Sequence, residues 1–195
     1  MSSFNVAWDS ITKMPIVPGS VSEGVPDPRA RYAKSGYKQY TASFEDPVTG
    51  EILPMLARHG PSDLQVTIKD PKEEVILSTL DLDSQSDNAY RITYDDQGNK
   101  NRMEDWEILP PYYSAGYVET QDDRQRRGYA TALYDLAAYL LSRGHPNYEE
   151  QWGGQPPLSI VPSGDQEEDG FLFWENAYKT GKVTDDDTWR VRDDL

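Results

Sequence analysis

Cysteine is absent from the 195-residue chain, which excludes disulfides, thiol nucleophiles and zinc sites built on thiolates. No stretch approaches the roughly 20 apolar residues of a membrane-spanning helix, and the residues after Met1 lack the apolar core of a signal peptide. We therefore expect a soluble, cytoplasmic protein with no membrane partner. The length suits one well-packed domain and is short for two.

Positive charge is also scarce, since 19 lysines and arginines accompany 34 aspartates and glutamates and leave a formal net charge of −15. Such an acidic chain is unsuited to binding nucleic acid and is compatible with a cationic partner, such as an amine or a basic protein. A local cluster of positive charge on an acidic protein favours an anionic ligand. One region of the chain carries such a cluster: Arg124, Arg126, Arg127 and Arg143.

Patterns typical of metal sites and hydrolases are sparse. The two histidines, His59 and His145, adjoin predicted turns, where structural roles are expected. The aspartate run at 185–187 favours a solvated segment, because consecutive residues do not converge on one ion as spaced ligands do. Residues 81–87 lack the central glycine and closing glutamate of a calcium loop. Ser163 lacks the glycine pattern of a hydrolase nucleophile. We expect neither a metal site nor a serine hydrolase.

Hydrophobic patterning divides the chain into an N-terminal arm and one domain. Residues 1–40 are rich in proline, glycine and serine and predict a partly ordered arm, with a short helical run at 29–34. Residues 41–195 form the predicted domain. Alternating apolar residues and turn signals predict a mainly antiparallel meander before residue 120. Its predicted strands are 41–44, 52–57, 64–68, 75–82 and 90–94, with turns at 47–50 and 95–98.

The segment 117–141 combines a short strand, a polar turn and an amphipathic helix. Leucines and alanines from Leu133 to Leu141 recur at helical spacing, and Arg143 followed by Gly144 ends the helix. Gly128 in the turn leaves no side chain in the way, so amides at the helix start can face an anion. These features predict a ligand site.

A second unit of strand and helix follows. Residues 158–161 predict a short strand, and a helix is expected to begin near 165–168 and to close at Gly181. Trp189 and Val191 are candidates for a final edge strand.

The turn resembles the signature of the GNAT superfamily of acyl-CoA N-acyltransferases, which reads Gln or Arg, two residues, Gly, one residue, then Gly or Ala. Gln125, Gly128 and Ala130 match it. The resemblance covers mainly residues 115–180. It implies a single α+β domain with a twisted, mixed and mostly antiparallel sheet flanked by helices. The pair of N-terminal helices usual in that family is not visible in this sequence, which leaves the acceptor site undetermined.

In that family the amides of the turn bind the pyrophosphate of acetyl-CoA, and the pantetheine arm pairs with the end of the preceding strand, where two strands splay apart. The resemblance therefore implies acetyl-CoA or another acyl-CoA as cofactor. The alternative is an ordinary strand-to-helix turn whose arginines face water. The implied cofactor-binding residues are Val118, Thr120, Gln125, Arg126, Arg127, Gly128, Tyr129, Ala130, Thr131 and Asn176.

Attack of an amine on a thioester requires that the ammonium lose a proton and that the leaving thiolate gain one. On the resemblance, Glu119 on the motif strand is the candidate base, and Tyr178 on the second helix is the candidate acid. Each has a structural alternative. Glu119 is otherwise an exposed strand residue, and Tyr178 otherwise belongs to an aromatic core stripe with Phe171 and Trp174 at helical spacing.

The resemblance implies an N-acetyltransferase that transfers an acyl group from coenzyme A directly to a primary amine. One alternative is a non-catalytic GNAT module that binds coenzyme A or a protein partner. Another is a GNAT-like enzyme that modifies nucleobases, which would need a basic groove.

Overall fold

The computed structural model describes residues 15–25, 37–60, 63–85, 90–94, 100–104, 112–143, 159–163, 168–184 and 188–195. This part of the chain has an α+β architecture, in which a seven-stranded, mostly antiparallel sheet packs against helices. The expected fold class is thereby confirmed at this coarse level. The helical run expected at 29–34, the turn at 95–98, the aspartates at 185–187 and His145 lie outside the described residues.

The elements follow one another in the order strands, helix, strand, helix. A 3₁₀ turn, Asp122–Arg124, precedes the first α-helix. The strands are β1 (Ser22–Gly24), β2 (Lys38–Glu45), β3 (Ile52–His59), β4 (Asp63–Lys69), β5 (Ile76–Gln85), β6 (Tyr90–Tyr94), β7 (Lys100–Glu104), β8 (Tyr112–Thr120) and β9 (Ser159–Val161), and the helices are α1 (Tyr129–Ser142) and α2 (Glu168–Lys179).

The predicted hairpin of β2 and β3 is confirmed. Its strands pair from Lys38 with His59 to Glu45 with Ile52, and a turn at 47–49 connects them. Phe44 and Leu53 form a cross-strand pair and are both buried, as alternation of buried and exposed side chains requires. The arm contributes Ile16, which is fully buried and bridges to Phe44, and β1, which extends the sheet beside β2.

A bulge in β5 explains why its apolar residues do not alternate cleanly. The register with β4 shifts between Ile68 and Lys69, so Leu77 is the extra residue on β5. Leu77 and Leu80 are both buried, although side chains three residues apart point to opposite faces of a regular strand. The bulge allows both to reach the core.

Strands β6 and β7 pair with each other as a separate two-stranded sheet. The strand predicted at 90–94 is therefore confirmed, but it does not join the main sheet. The main sheet has the order β1-β2-β3-β4-β5-β8-β9, so β5 pairs directly with β8.

Helix α1 packs on one face of the main sheet, over β4, β5, β8 and β9. Its predicted apolar face is confirmed, since Leu133, Leu136, Leu140 and Leu141 are all buried. The sheet supplies Val66 and the other buried residues beneath it, namely Leu64, Ile68, Leu80 and Leu82. This face carries the hydrophobic core.

The C-terminal part packs beside β9. Helix α2 ends as predicted near Gly181, which has a φ of 71° and follows the helix in the left-handed conformation. Trp189 is buried, bridges to Val183 and donates its backbone N–H to the carbonyl of Ile160 in β9 at 3.0 Å. Trp189 thus borders the sheet, whereas Val191 is exposed. Within the described residues, neither helix is long and apolar enough to cross a membrane.

Candidate functional site

The two parallel strands β8 and β9 pair along only part of their length. Three residue pairs join them, from Tyr112 with Ser159 to Ser114 with Val161. On its other edge, β8 pairs with β5 as far as Thr120. Within the described residues, the backbone of 115–120 therefore has no strand beside it on the β9 side. This open edge lies immediately before the turn that contains Gly128.

The turn presents backbone amides rather than a capping side chain at the start of α1. Gly128 occupies the N-cap with a φ of 82°, and no side chain caps the helix. The first intrahelical bond runs from the amide of Ala132 to the carbonyl of Gly128 at 2.9 Å. The amides of Tyr129, Ala130 and Thr131 consequently have no intrahelical partner. Such a helix start is a suitable place for an anion.

A buried aspartate in the β2–β3 turn already engages two of the turn's arginines. The Oδ2 atom of Asp46 lies 3.4 Å from an Nη1 of Arg124 and 3.7 Å from an Nη1 of Arg127. The hydroxyl of Tyr129 donates to the same oxygen at 2.7 Å. Asp46 itself is fully buried. Two arginines of the predicted positive cluster are thus already paired with a carboxylate. The exposed Arg126 is the cation of this turn without an ion pair among the described residues.

The environment of Asp46 favours its charged form. Burial would raise the pKa of Asp46, but the hydrogen bonds from Tyr129 and from the amides of Val48 and Thr49, together with the charge of Arg127, lower it overall. Burial and the bond to Asp46 raise the pKa of the Tyr129 hydroxyl. The Tyr129 ring packs on Phe44 with centroids 4.5 Å apart. Its side chain is therefore buried among structural contacts, and its amide stands at the start of α1.

The side chain of Gln125 links the turn back to the end of β8. Its Nε2 atom lies 3.4 Å from the carbonyl oxygen of Thr120 and 3.2 Å from Oδ1 of Asp122. The Thr120 hydroxyl is 2.7 Å from the Ser78 hydroxyl on β5. Val118 is opposite the buried Leu80 in the β5–β8 register, yet it is 37% exposed. The predicted residues 118, 120 and 125 are thus gathered at the open strand end.

Glu119 is exposed near the end of β8 and accepts a hydrogen bond from the hydroxyl of Tyr117, two residues earlier on the same face. This bond is the main reason why the pKa of Tyr117 is raised. Tyr117 was predicted on the motif strand, but its contact with Glu119 was not. Spacing along the strand was the only available signal, and it does not reveal which polar pairs meet.

The predicted site residues Asn176 and Tyr178 lie on α2, apart from the turn and β8. Tyr178 is 55% exposed, so the alternative that it belongs to the aromatic core stripe is wrong. The stripe that packs inward contains Phe173, Trp174 and Ala177. Asn176 is half-buried, and its carbonyl accepts a bond from the amide of Thr180 at 3.0 Å. No hydrogen bond or ion pair among the described residues links Tyr178 to Glu119.

A polar cleft of about 420 Å³ lies beside Tyr117. Its floor is formed by Gln65, Asp81 and neighbouring residues, whose side chains alternate with the buried core residues Leu64, Leu80 and Leu82. The cleft is therefore on the sheet face opposite α1. It is lined by Tyr37, Arg58, Asp63, Gln65, Asp81, Asp83, Gly116 and Tyr117, together with Leu64 and Leu82. Sequence reasoning did not find it, because five separate segments contribute these residues.

Among the residues that the structure describes, no three or more acidic or histidine side chains form a metal-binding group. His59 ends β3 and is fully buried, in agreement with its expected structural role.

The chain matches no protein-family model, no curated protein and no solved structure. Its own residues and geometry therefore carry the functional interpretation.

Proposed function

We propose that this protein is a GNAT-type N-acyltransferase that transfers an acyl group from acetyl-CoA, or another acyl-CoA, to a primary amine. The observation that carries the proposal is the interrupted pairing of β8 and β9. In the part of the chain that the structure describes, pairing stops after Ser114, and residues 115–120 present an open strand edge directly before the Gly128 turn and the uncapped start of α1. An extended ligand arm can pair with the edge while an anion binds at the turn.

The residues at the turn fit an acyl-CoA. Its pyrophosphate would lie against the amides of Tyr129, Ala130 and Thr131, beside the exposed Arg126 of the same turn, which makes no ion pair among the described residues. Its pantetheine arm would follow the backbone of Val118 and Thr120 along the open edge of β8. Gly128 holds the backbone of the turn in a conformation with a φ of 82°, which residues with a side chain rarely adopt.

The chemistry requires no covalent enzyme intermediate. The amine nitrogen, once deprotonated, attacks the thioester carbonyl carbon, the C–N bond forms, and the C–S bond breaks as the thiolate leaves. Glu119 is the proposed acceptor of the ammonium proton. Tyr178 is the proposed donor of a proton to the thiolate. Tyr178 is exposed on α2, so its hydroxyl is accessible to a ligand.

A second candidate is a non-catalytic module that binds coenzyme A or a protein partner. The ion pairs of Asp46 favour it, because they already neutralise Arg124 and Arg127 and leave less positive charge for a phosphate. The same observation makes a basic groove for nucleic acid less favourable.

The decisive experiment measures acetyl-CoA binding by calorimetry and free-thiol release with a panel of primary amines. We expect binding together with thiol release. Tyr178→Phe and Glu119→Gln should each lower turnover by roughly a hundredfold, the usual scale for loss of a general acid or base, with little change in acetyl-CoA affinity. Phe171→Ala, at an exposed aromatic residue on the same helix as Tyr178, is the control for α2.

The outcomes separate the two candidates. Acetyl-CoA binding without thiol release for any amine favours the non-catalytic module. Normal turnover in Tyr178→Phe assigns the acid role to another group, and absence of acetyl-CoA binding contradicts the proposed cofactor site.

A further inference from the structure

The polar cleft opposite α1 combines aromatic and acidic side chains in a volume that suits a small organic ligand. Its volume of about 420 Å³ lies in the usual range of small-molecule sites. Tyr37 and Tyr117 contribute the aromatic rings. The cleft crosses the sheet from the segment before β2 to β8. It is therefore formed by that segment and the four paired strands β3, β4, β5 and β8 rather than by one loop.

Negative charge dominates this cleft. Asp63, Asp81 and Asp83 line it together with one cation, Arg58. Arg58 lies 3.4 Å from the Oε1 atom of Gln65, and the Nε2 atom of Gln65 donates to Asp81 at 2.8 Å. These bonds order the floor of the cleft without neutralising its charge.

Asp83 is the carboxylate best placed for a ligand. Among the described residues it makes no hydrogen bond or ion pair, whereas both oxygens of Asp63 accept the hydroxyl of Tyr37 at 2.7 Å. Asp83 extends over Gly116, because a Cβ atom at Gly116 would lie only 2.9 Å from its Oδ2 atom. Glycine at this position leaves room for the carboxylate.

The cleft meets the proposed acyl-transfer site at β8. Gly116 is the extra residue of a bulge, since Asp81 pairs with Tyr117 and Leu82 pairs with Ala115. Gly116 and Tyr117 line the cleft, and the same stretch of β8 begins the edge that lies open beyond Ser114. Tyr117 also donates to Glu119, the proposed base. A ligand in the cleft would therefore lie beside the stretch of β8 whose open edge is proposed to hold the acyl arm.

We infer that this cleft is the acceptor site and that it selects a small amine with at least two cationic centres. One ammonium is held by the carboxylates at Asp81 and Asp83, and the reacting amine lies toward Tyr117 and Glu119. The inference rests on the proposed acyltransferase function and names its substrate class. The reacting nitrogen loses its proton to Glu119, while the distal ammonium keeps its charge and supplies the binding energy.

The test compares spermidine and 1,4-diaminobutane with 1-aminobutane, which has a single cationic centre. Calorimetry without acyl-CoA measures binding to the full chain, and thiol release with acetyl-CoA measures KM and kcat. We expect the two polycations to bind more tightly than 1-aminobutane, and we expect their affinity to fall as salt is raised. Asp83→Asn should raise their Kd and KM by about two- to fivefold, the scale of a partly exposed ion pair, with kcat unchanged. KM for 1-aminobutane should change less, because it has no second ammonium for the carboxylates to hold.

A matched control removes one charge elsewhere. Glu73→Gln, in the exposed turn before β5, makes the same change in net charge and should leave every KM unchanged. The double variant Asp81→Asn, Asp83→Asn should weaken the polycations further. Equal effects of Asp83→Asn and Glu73→Gln, or equal effects on all three amines, would overturn the inference.

The outcomes keep the two proposals apart. Thiol release that is insensitive to Asp83 contradicts the acceptor site and leaves the transferase proposal standing. Polycation binding that depends on Asp83, without thiol release from any amine, supports the cation site and contradicts the transferase proposal. A lysine-containing peptide with a lower KM than either polycation, insensitive to Asp83, would place the acceptor elsewhere.

Discussion

At the scale of single residues, Asp46 decides which cations of the turn remain for a ligand. It is fully buried between the β2–β3 turn and the start of α1 and contacts Arg124, Arg127 and the Tyr129 hydroxyl. The contact with Arg124 joins residues 78 positions apart in the chain. An arginine cluster that appears free in the sequence is therefore largely committed to holding the turn against the sheet.

Replacement of Asp46 by asparagine should lower the free energy of unfolding by about 1–3 kcal/mol at pH 7, because two arginines lose their counter-charge and a buried acceptor is weakened. The folded-state pKa of Asp46 is lowered relative to the unfolded chain. Its contribution is therefore fully present above the unfolded pKa of about 4 and is lost as the pH falls through the folded pKa. Urea denaturation of both proteins between pH 7 and pH 3 measures the difference.

The control for this variant is Glu45→Gln, the same type of change at the exposed neighbouring position. It should leave the unfolding free energy within about 0.5 kcal/mol of the parent. A difference between the parent and Asp46→Asn that stays constant down to pH 3 would contradict the role of the charge.

At the scale of elements, each of the two helices is flanked by a glycine with positive φ. Of these two glycines, only Gly128 lies in the candidate site. Gly128 precedes α1 with a φ of 82°, and Gly181 follows α2 with a φ of 71°. A Cβ atom at Gly181 would meet no atom within 4 Å, and one at Gly128 would meet only the Cγ of Pro15 at 3.9 Å. Backbone strain, rather than lack of space, is therefore the cost of a side chain at either position.

Substitutions at Gly128 and Gly181 separate the effect of backbone strain on stability from the effect of a side chain on ligand binding. Gly128→Val and Gly181→Val should each cost at least about 1–2 kcal/mol of stability, the penalty for an L-residue in the left-handed region. Only Gly128→Val should weaken acetyl-CoA binding, by roughly tenfold or more, because its side chain stands beside the amides at the start of α1. Calorimetric titration of both folded variants is the measurement. Equal acetyl-CoA affinity in the two variants would mean that the turn is not the pyrophosphate site.

At the scale of the whole molecule, one buried carboxylate ties the C-terminal segment to the core helix. Asp135 of α1 is fully buried, accepts a bond from Nζ of Lys182 at 2.9 Å and accepts another from Nε1 of Trp189 at 2.9 Å. Arg192 lies 3.6 Å from the same carboxylate. Trp189 also stacks on Tyr134, with ring centroids 4.8 Å apart. The segment after α2 is therefore held by polar and aromatic contacts together.

Asp135→Asn should destabilise the protein by about 2–4 kcal/mol, because Lys182 and Arg192 lose a buried partner. In a double-mutant cycle, adding Lys182→Met should cost less in the Asp135→Asn background than in the parent. Denaturant unfolding followed by tryptophan fluorescence measures both effects. Strict additivity of the two substitutions would contradict the coupling between α1 and the C-terminal segment.

Several elements could be predicted because their signals are local. The alternation in β2, β3 and β4, and the helical spacing of the leucines in α1, depend only on neighbouring residues. The helix stop at Gly181 depends on one residue that tolerates positive φ. The pairing of β6 with β7 outside the main sheet was not predictable, because alternation does not identify a strand's partner.

The amino-acid sequence alone determined most of the strands and the first helix, the glycine turn before α1, and the acidic net charge, since each depends on local periodicity or on composition. The strands β1 and β7 were not among the predicted ones. Tertiary structure decided which charges remain available to a ligand. Asp46 reaches Arg124 across 78 positions, and the cleft gathers Asp63, Asp83 and Tyr117 from three strands. Such contacts are set by strand register and by the packing of α1, because charges that lie far apart in the chain interact strongly only when folding brings them within a few ångströms.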